Sequence, residues 1–210
     1  MTDQHVIAPA PSNRERRRKI GAILAAGLVL GVGATATLAA WNDSEYAKGS
    51  FAAGSFNLQG STDGTNYSDH ATSGAAATLG FTVSPTNLAP GDVVYAPFAV
   101  RLAANTTTDA SVTVQAVSNT GTVTNMTYVL VRTSSMTCDA SAVTGGTVVI
   151  ASGTAMSSVG APAGWTLSKG SPVTSDGTPV YLCFAVTAGA GLVQNQSGTA
   201  TWQITATSTT

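Results

Sequence analysis

Beyond residue 40 the chain holds one histidine, His70, two cysteines, Cys138 and Cys183, and scattered aspartates, and these bound the chemistry open to it. A zinc centre needs three or four nitrogen, sulfur or oxygen ligands converging on one point. His70 lies in a polar loop (STDGTNYSDHATSG, 61–74), where only dispersed carboxylates could complete such a site. A Ser–His–Asp arrangement would have to use the same histidine, and no Gly-x-Ser-x-Gly elbow accompanies it. Asp63, Asp69 and Asp176 could touch calcium, yet none sits in an EF-hand pattern, and Asp63-Gly64 and Asp176-Gly177 read as turns. Tyr67, Tyr95, Trp165 and Tyr181 could form a sugar platform, although sandwich cores use such residues at least as often. The residue types therefore predict no catalytic site, no metal site, no cofactor and no enzyme.

What positions these residues begins with an apolar leader. Arg14, Arg16, Arg17, Arg18 and Lys19 make residues 1–19 a basic n-region, and residues 20–40 are apolar and rich in Gly and Ala. Small residues at Thr37 and Ala39 suit a signal-peptidase cut after Ala39; a cut after Ala40, before Trp41, is also open. The charge-free run from Ile20 to Asn42 is long enough to span a membrane uncleaved, but its Thr, Ala and Gly content argues for cleavage. The membrane is thus expected to be met only by the precursor. Arg17-Arg18-Lys19-Ile20 resembles a twin-arginine motif only in part. In an exported chain Cys138 and Cys183 are expected to form a disulfide rather than two separate buried thiols.

Charge divides at the same place. Past residue 40 four cations (Lys48, Arg101, Arg132, Lys169) face eight acids, a net charge of −4 on a body of 210 − 40 = 170 residues. Four scattered cations cannot track a phosphate backbone, which excludes nucleic acid as a partner. Only 9% of all residues are charged. The Thr- and Val-rich remainder favours strands over helices and carries apolar runs that disordered segments lack.

Strands are expected at Ala53–Gln59, with Phe56 and Leu58 on one face, and at Ala76–Val83. A turn at Leu88–Asp92 leads into Val93–Leu102, where Pro97 demands an edge or a bulge. Further strands are expected at Ser111–Val117, Met126–Arg132, Thr147–Ala151, Trp165–Leu167, Val180–Thr187 and Thr199–Thr207, the last with Trp202 and Ile204 on one face. No helix is expected after the leader. The fold class is all-β: a single two-sheet sandwich over residues 41–210, with jelly-roll or Greek-key connections, preceded by a signal or transmembrane helix.

Two stretches carry a resemblance. Ala39-Ala-Trp-Asn-Asp-Ser-Glu45 followed by Gly49-Ser-Phe-Ala-Ala-Gly-Ser-Phe-Asn-Leu58 is similar to the junction of the TasA/camelysin family, exported proteins of Gram-positive bacteria cut by a SipW-type signal peptidase. Asn87-Leu-Ala-Pro-Gly-Asp92 resembles the family's Leu-x-Pro-Gly-Asp turn, and Asn195-Gln-Ser-Gly198 before TATWQITAT resembles its C-terminal ending. The cysteine pair resembles an actinobacterial branch of the family.

The resemblance implies a secreted or surface-located biofilm-matrix protein whose partners are the signal peptidase and further copies of itself. Fibres would form as the mature N-terminal segment adds a strand to the next subunit. In this chain the donor would be residues 41–51, with Trp41, Asn42, Asp43 and Phe51, followed by Phe56 and Leu58. Two other readings stand beside it: a monomeric secreted module binding wall glycan or a host surface, and, less favoured, a metallopeptidase-like hydrolase. The chain has no His-Glu-x-x-His to support the last.

Overall fold

The computed structural model describes residues 13–36, 43–83 and 85–209. Thr37, Ala39, Ala40, Trp41 and Asn42, expected at the signal-peptidase cut and the start of the donor segment, lie outside the described residues. The chain divides into two units, the first ending at Phe51 and the second beginning at Ala52.

In the first unit, helix α1 (Asn13–Ala36) carries the basic run and then the apolar residues. No described helix is long and apolar enough to cross a membrane. Asp43 to Phe51 has neither helix nor strand and is exposed throughout, Tyr46 at 95% and Phe51 at 97%.

The second unit is an all-β sandwich of two antiparallel sheets. Its strands are β1 (Leu58–Ser61), β2 (Val93–Leu102), β3 (Asp109–Gly121), β4 (Met126–Thr133), β5 (Thr147–Ala155), β6 (Trp165–Leu167), β7 (Val180–Ala188) and β8 (Gly198–Thr209). One sheet has the order β1-β2-β7-β4-β5 and the other β6-β3-β8. Placing β7 between β2 and β4 makes the connections Greek-key in type. Alternate residues of the strands meet in the middle: Val94, Val100 and Leu102 from β2, Tyr128 and Leu130 from β4, Leu182, Phe184 and Val186 from β7, against Val112 and Val114 from β3.

The outward side of the five-stranded sheet has a second, smaller core. Cys138 and Cys183 form a disulfide with a Cα–Cα distance of 5.2 Å. Val129, Val131 and Ala185 pack around it, with Tyr95, Ala142 and Val143 at the margin. Ala142 and Val143 belong to a short helix, α2 (Ala140–Gly145), where no helix was expected. Asp139 starts it by accepting hydrogen bonds from the Ala142 N–H (2.8 Å) and the Ser141 hydroxyl (2.7 Å), leaving Ala142 and Val143 to cover the bridge. The same bonds, the Ser141 hydroxyl first, hold the Asp139 carboxyl below the usual carboxylate range.

Two expected strands differ from what forms. Instead of Ala53–Gln59, the paired strand is β1 alone. The preceding residues spend their hydrogen bonds on the 103–107 turn: Thr107 N–H donates to Ser55 O and Ala103 N–H to Asn57 O, both at 3.0 Å. Asn105 turns that loop with φ of 67°, and a Cβ at Gly54 would sit 2.1 Å from the Thr107 hydroxyl, so only glycine lets the two segments meet.

Ala76–Val83 forms no strand, and Pro97 supplies the reason. Odd-numbered residues of β2 aim their backbone groups toward β1, which is paired only as far as Ala99. Beyond it, Thr82 N–H donates to Tyr95 O at 2.9 Å, and the next donor on that side would be Pro97, which has none. Thr82 to Tyr95 is the one backbone bond described between these segments, and 76–83 stays irregular while Leu79 and Phe81 still pack on the core.

Removing the bridge tests how much of the stability it carries. Closing a 45-residue separation confers about 4 kcal/mol on the chain-entropy model. The double substitution Cys138→Ala, Cys183→Ala is expected to lower the urea-unfolding free energy of the mature protein by about that amount. A loss below about 1 kcal/mol would mean that the outer core holds α2 without the bond.

Candidate functional site

The three-stranded sheet pairs unevenly. β3 lies between β6 and β8, whereas β8 pairs with β3 alone among the described strands. Burial follows this pattern: Val112 and Val114 of β3 are 1% exposed, but Trp202, Ile204 and Ala206 of β8 are only half-buried. Beside them the two sheets part into a groove of about 1160 Å3.

One wall of the groove is β8. The other is Val94, Phe98 and Val100 of β2 with Phe184 and Val186 of β7, and Leu79, Phe81 and Leu88 of the strandless connection contribute to the lining. Trp202 anchors the β8 wall, its ring tilted against Phe184 (centroids 4.8 Å apart) and Tyr128 (5.4 Å). The Tyr128 hydroxyl donates to Ser158 O at 2.8 Å, and burial raises its pKa while the adjacent Trp202 indole opposes the rise. Leu88 is held by the turn read from the sequence: Asp92 N–H donates to Ala89 O (3.0 Å), and Gly91 takes φ of 97° after Pro90.

His70 and Asp69 line the groove near β1. His70 Nε2 lies 3.3 Å from the Ser68 hydroxyl, and its Nδ1 is buried without a partner. The Asp69 carboxylate instead accepts from the Asn57 amide at 3.1 Å. No carboxylate is therefore bonded to the imidazole, and the contact lacks the third member that orients a catalytic histidine. Among the described residues no group of three or more His, Cys, Asp or Glu side chains is placed to hold a metal ion.

The other candidates are drawn into local structure. Asp63 closes the loop after β1, accepting from the Asn66 N–H (2.7 Å), the Asn66 amide (2.7 Å), the Thr65 N–H (2.8 Å) and the Ser61 hydroxyl (2.8 Å). These bonds, the Asn66 N–H foremost, hold its carboxyl far below the usual carboxylate range. Asp176 pairs with Arg101 at 3.0 Å and accepts from the Ala104 N–H at 3.0 Å. Arg101 in turn lies over the Tyr67 ring, 3.9 Å from its centroid. Trp165 is buried in the inter-sheet core and Tyr95 packs on the disulfide, so the four aromatics considered for a sugar platform do not share one surface.

Of the residues expected in assembly, Phe51 is exposed and Phe56 is 39% exposed, while Leu58 is already paired opposite Leu102 in its own sheet. Ser55 and Asn57 are likewise engaged by the 103–107 turn, so Phe56 and Leu58 lie in the sandwich unit, beyond the exposed 43–51 stretch. The groove itself had no counterpart in the sequence reading. Its nearest sequence signals were Pro97 and the apolar inward face of β8. Compared with known proteins, no family model matches the chain and no curated protein matches it.

Asp63 provides a pH test. A carboxyl whose folded pKa is depressed adds stability above its unfolded value, and that stability is lost as pH falls through the folded value. At about pH 3, where ordinary carboxylates are largely protonated, Asp63 is expected to remain ionised. Side-chain carboxyl 13C titration by NMR checks this, and an ordinary midpoint near 4 would show that the loop bonds do not persist in solution.

Proposed function

We propose that the chain is an exported structural protein of the Gram-positive, actinobacterial type, similar to the TasA/camelysin family, which assembles at the cell surface or in a biofilm matrix. After removal of the leader near Ala40, the segment through Phe51 of one copy lays an added strand along β8 of another. The observation that carries this reading is the half-covered inner face of β8, where Trp202 and Ile204 line the groove beside an edge that no described strand pairs with.

Chemistry on both sides is suited to strand addition. The edge of β8 offers main-chain donors and acceptors over twelve residues, and the groove offers apolar space for alternate side chains. The donor offers exposed Tyr46 and Phe51 on a stretch lacking regular structure of its own. Burying one such aromatic contributes about 1.5–3 kcal/mol, and the added ladder removes an exposed edge. The disulfide fits an oxidising, extracellular compartment.

Deleting residues 43–51 from the mature protein is expected to abolish fibres seen by electron microscopy, leaving a folded monomer. Circular dichroism reports the fold independently, since the sandwich begins beyond the deletion. Fibres indistinguishable from those of the intact protein would overturn the donor role of this segment.

A further inference from the structure

Residues 46–51 alternate two kinds of side chain. Tyr46, Lys48 and Ser50 each end in a polar group, whereas Ala47, Gly49 and Phe51 carry no polar side-chain atom. In an extended chain the two sets point to opposite faces, so Tyr46 and Phe51 cannot enter one groove together. Toward the N-terminus the pattern ends at Glu45 and Asp43, which share the parity of Phe51 but carry carboxylates. Toward the C-terminus it ends where Gly54 and Ser55 meet the 103–107 turn. The groove has apolar walls, among them Leu79, Phe98, Phe184, Trp202 and Ile204, and its ionisable lining is limited to Asp69 and His70.

We propose that Phe51 is the anchor of the added strand, entering the groove of a second copy with Ala47 and Gly49 on the same face. Tyr46, Lys48 and Ser50 then face away. The anchor role rests on the strand addition proposed above and confines the docked stretch to residues 46–51. The opposite facing would set the Lys48 ammonium among apolar walls. Asp69 alone could meet it there, and that carboxylate already accepts from the Asn57 amide. A docked stretch reaching farther toward the N-terminus would bring Glu45 and Asp43 into a groove that no lysine or arginine lines. With the proposed facing no charge is buried, and the Phe51 ring meets other rings at Phe98 and Trp202, a contact worth more than its area alone. Trp41, Asn42 and Asp43 then lie outside the docked stretch.

The test uses the full mature protein and reads the critical concentration for assembly by sedimentation, with electron microscopy of the pellet. Exchanging two neighbours, Ser50→Phe with Phe51→Ser, keeps the composition and moves the ring to the other face. That variant and Phe51→Ala are each expected to raise the critical concentration by more than about tenfold. Tyr46→Ala and deletion of residues 41–45 are expected to leave it within about twofold. All four changes precede Ala52, where the sandwich begins, so urea unfolding should match the original in each. The proposal is overturned if the exchanged variant or Phe51→Ala assembles like the original, or if Tyr46→Ala or the 41–45 deletion abolishes assembly. In those cases strand addition itself survives as long as deleting residues 43–51 still removes the fibres. Fibres that persist without residues 43–51, or a mature protein that never assembles, would remove strand addition and the anchor with it.

Discussion

The N–H that Pro97 lacks would have pointed toward β1, on the side of β2 where pairing has already stopped. Tyr95 accepts one bond from Thr82 there, and Pro97, the next residue facing that side, has no N–H to add. A sheet that ends this way leaves its next segment to cover the core by packing alone, and Leu79, Phe81 and Leu88 do that without a ladder. On the opposite sheet β8 has no second partner among the described strands either. The groove lies between these two incomplete edges, and its apolar lining is what a further strand would otherwise bury.

The opposite side of the five-stranded sheet is finished by other means. There the Cys138–Cys183 bridge, α2 and Tyr95 cover Val129, Val131 and Ala185. Cys183 belongs to β7 and Cys138 to the turn before α2, so the bond ties a central strand to a local cap. Arg101 does similar service farther along β2, stacking on Tyr67 and pairing with Asp176 to fasten loops from two distant parts of the chain.

Elements whose identity depends on their own residues were legible in the sequence. Val93–Leu102, Met126–Thr133, Trp165–Leu167 and Val180–Ala188 formed where alternation or an apolar run indicated, and the cysteine pair closed as the export signal suggested. The failures are non-local. Ala76–Val83 has strand-like composition but lies along a stretch of β2 where Pro97 lacks a donor. Residues 53–57 have a strand-like pattern but are engaged by the 103–107 turn. The helix α2 is six residues long and weak in intrinsic propensity; its one sequence signal was Asp139 before a run closed by Gly145 and Gly146. The groove was hidden for the same reason, because it depends on which edges the topology leaves unpaired.

The two faces of β8 place opposite demands on one strand. Inward, Ala200, Trp202, Ile204 and Ala206 present apolar surface that the chain itself covers only in part. Outward, threonines present hydroxyls that need water or an equivalent partner. Period-two alternation keeps the two chemistries apart, and a one-residue slip would exchange them. The register is therefore held from β3, through twelve partner positions with a single irregularity between Val114 and Ala116. That constraint falls on one edge of β8 only. Its other edge can accept main-chain bonds without disturbing which side chains alternate to either face of the sheet.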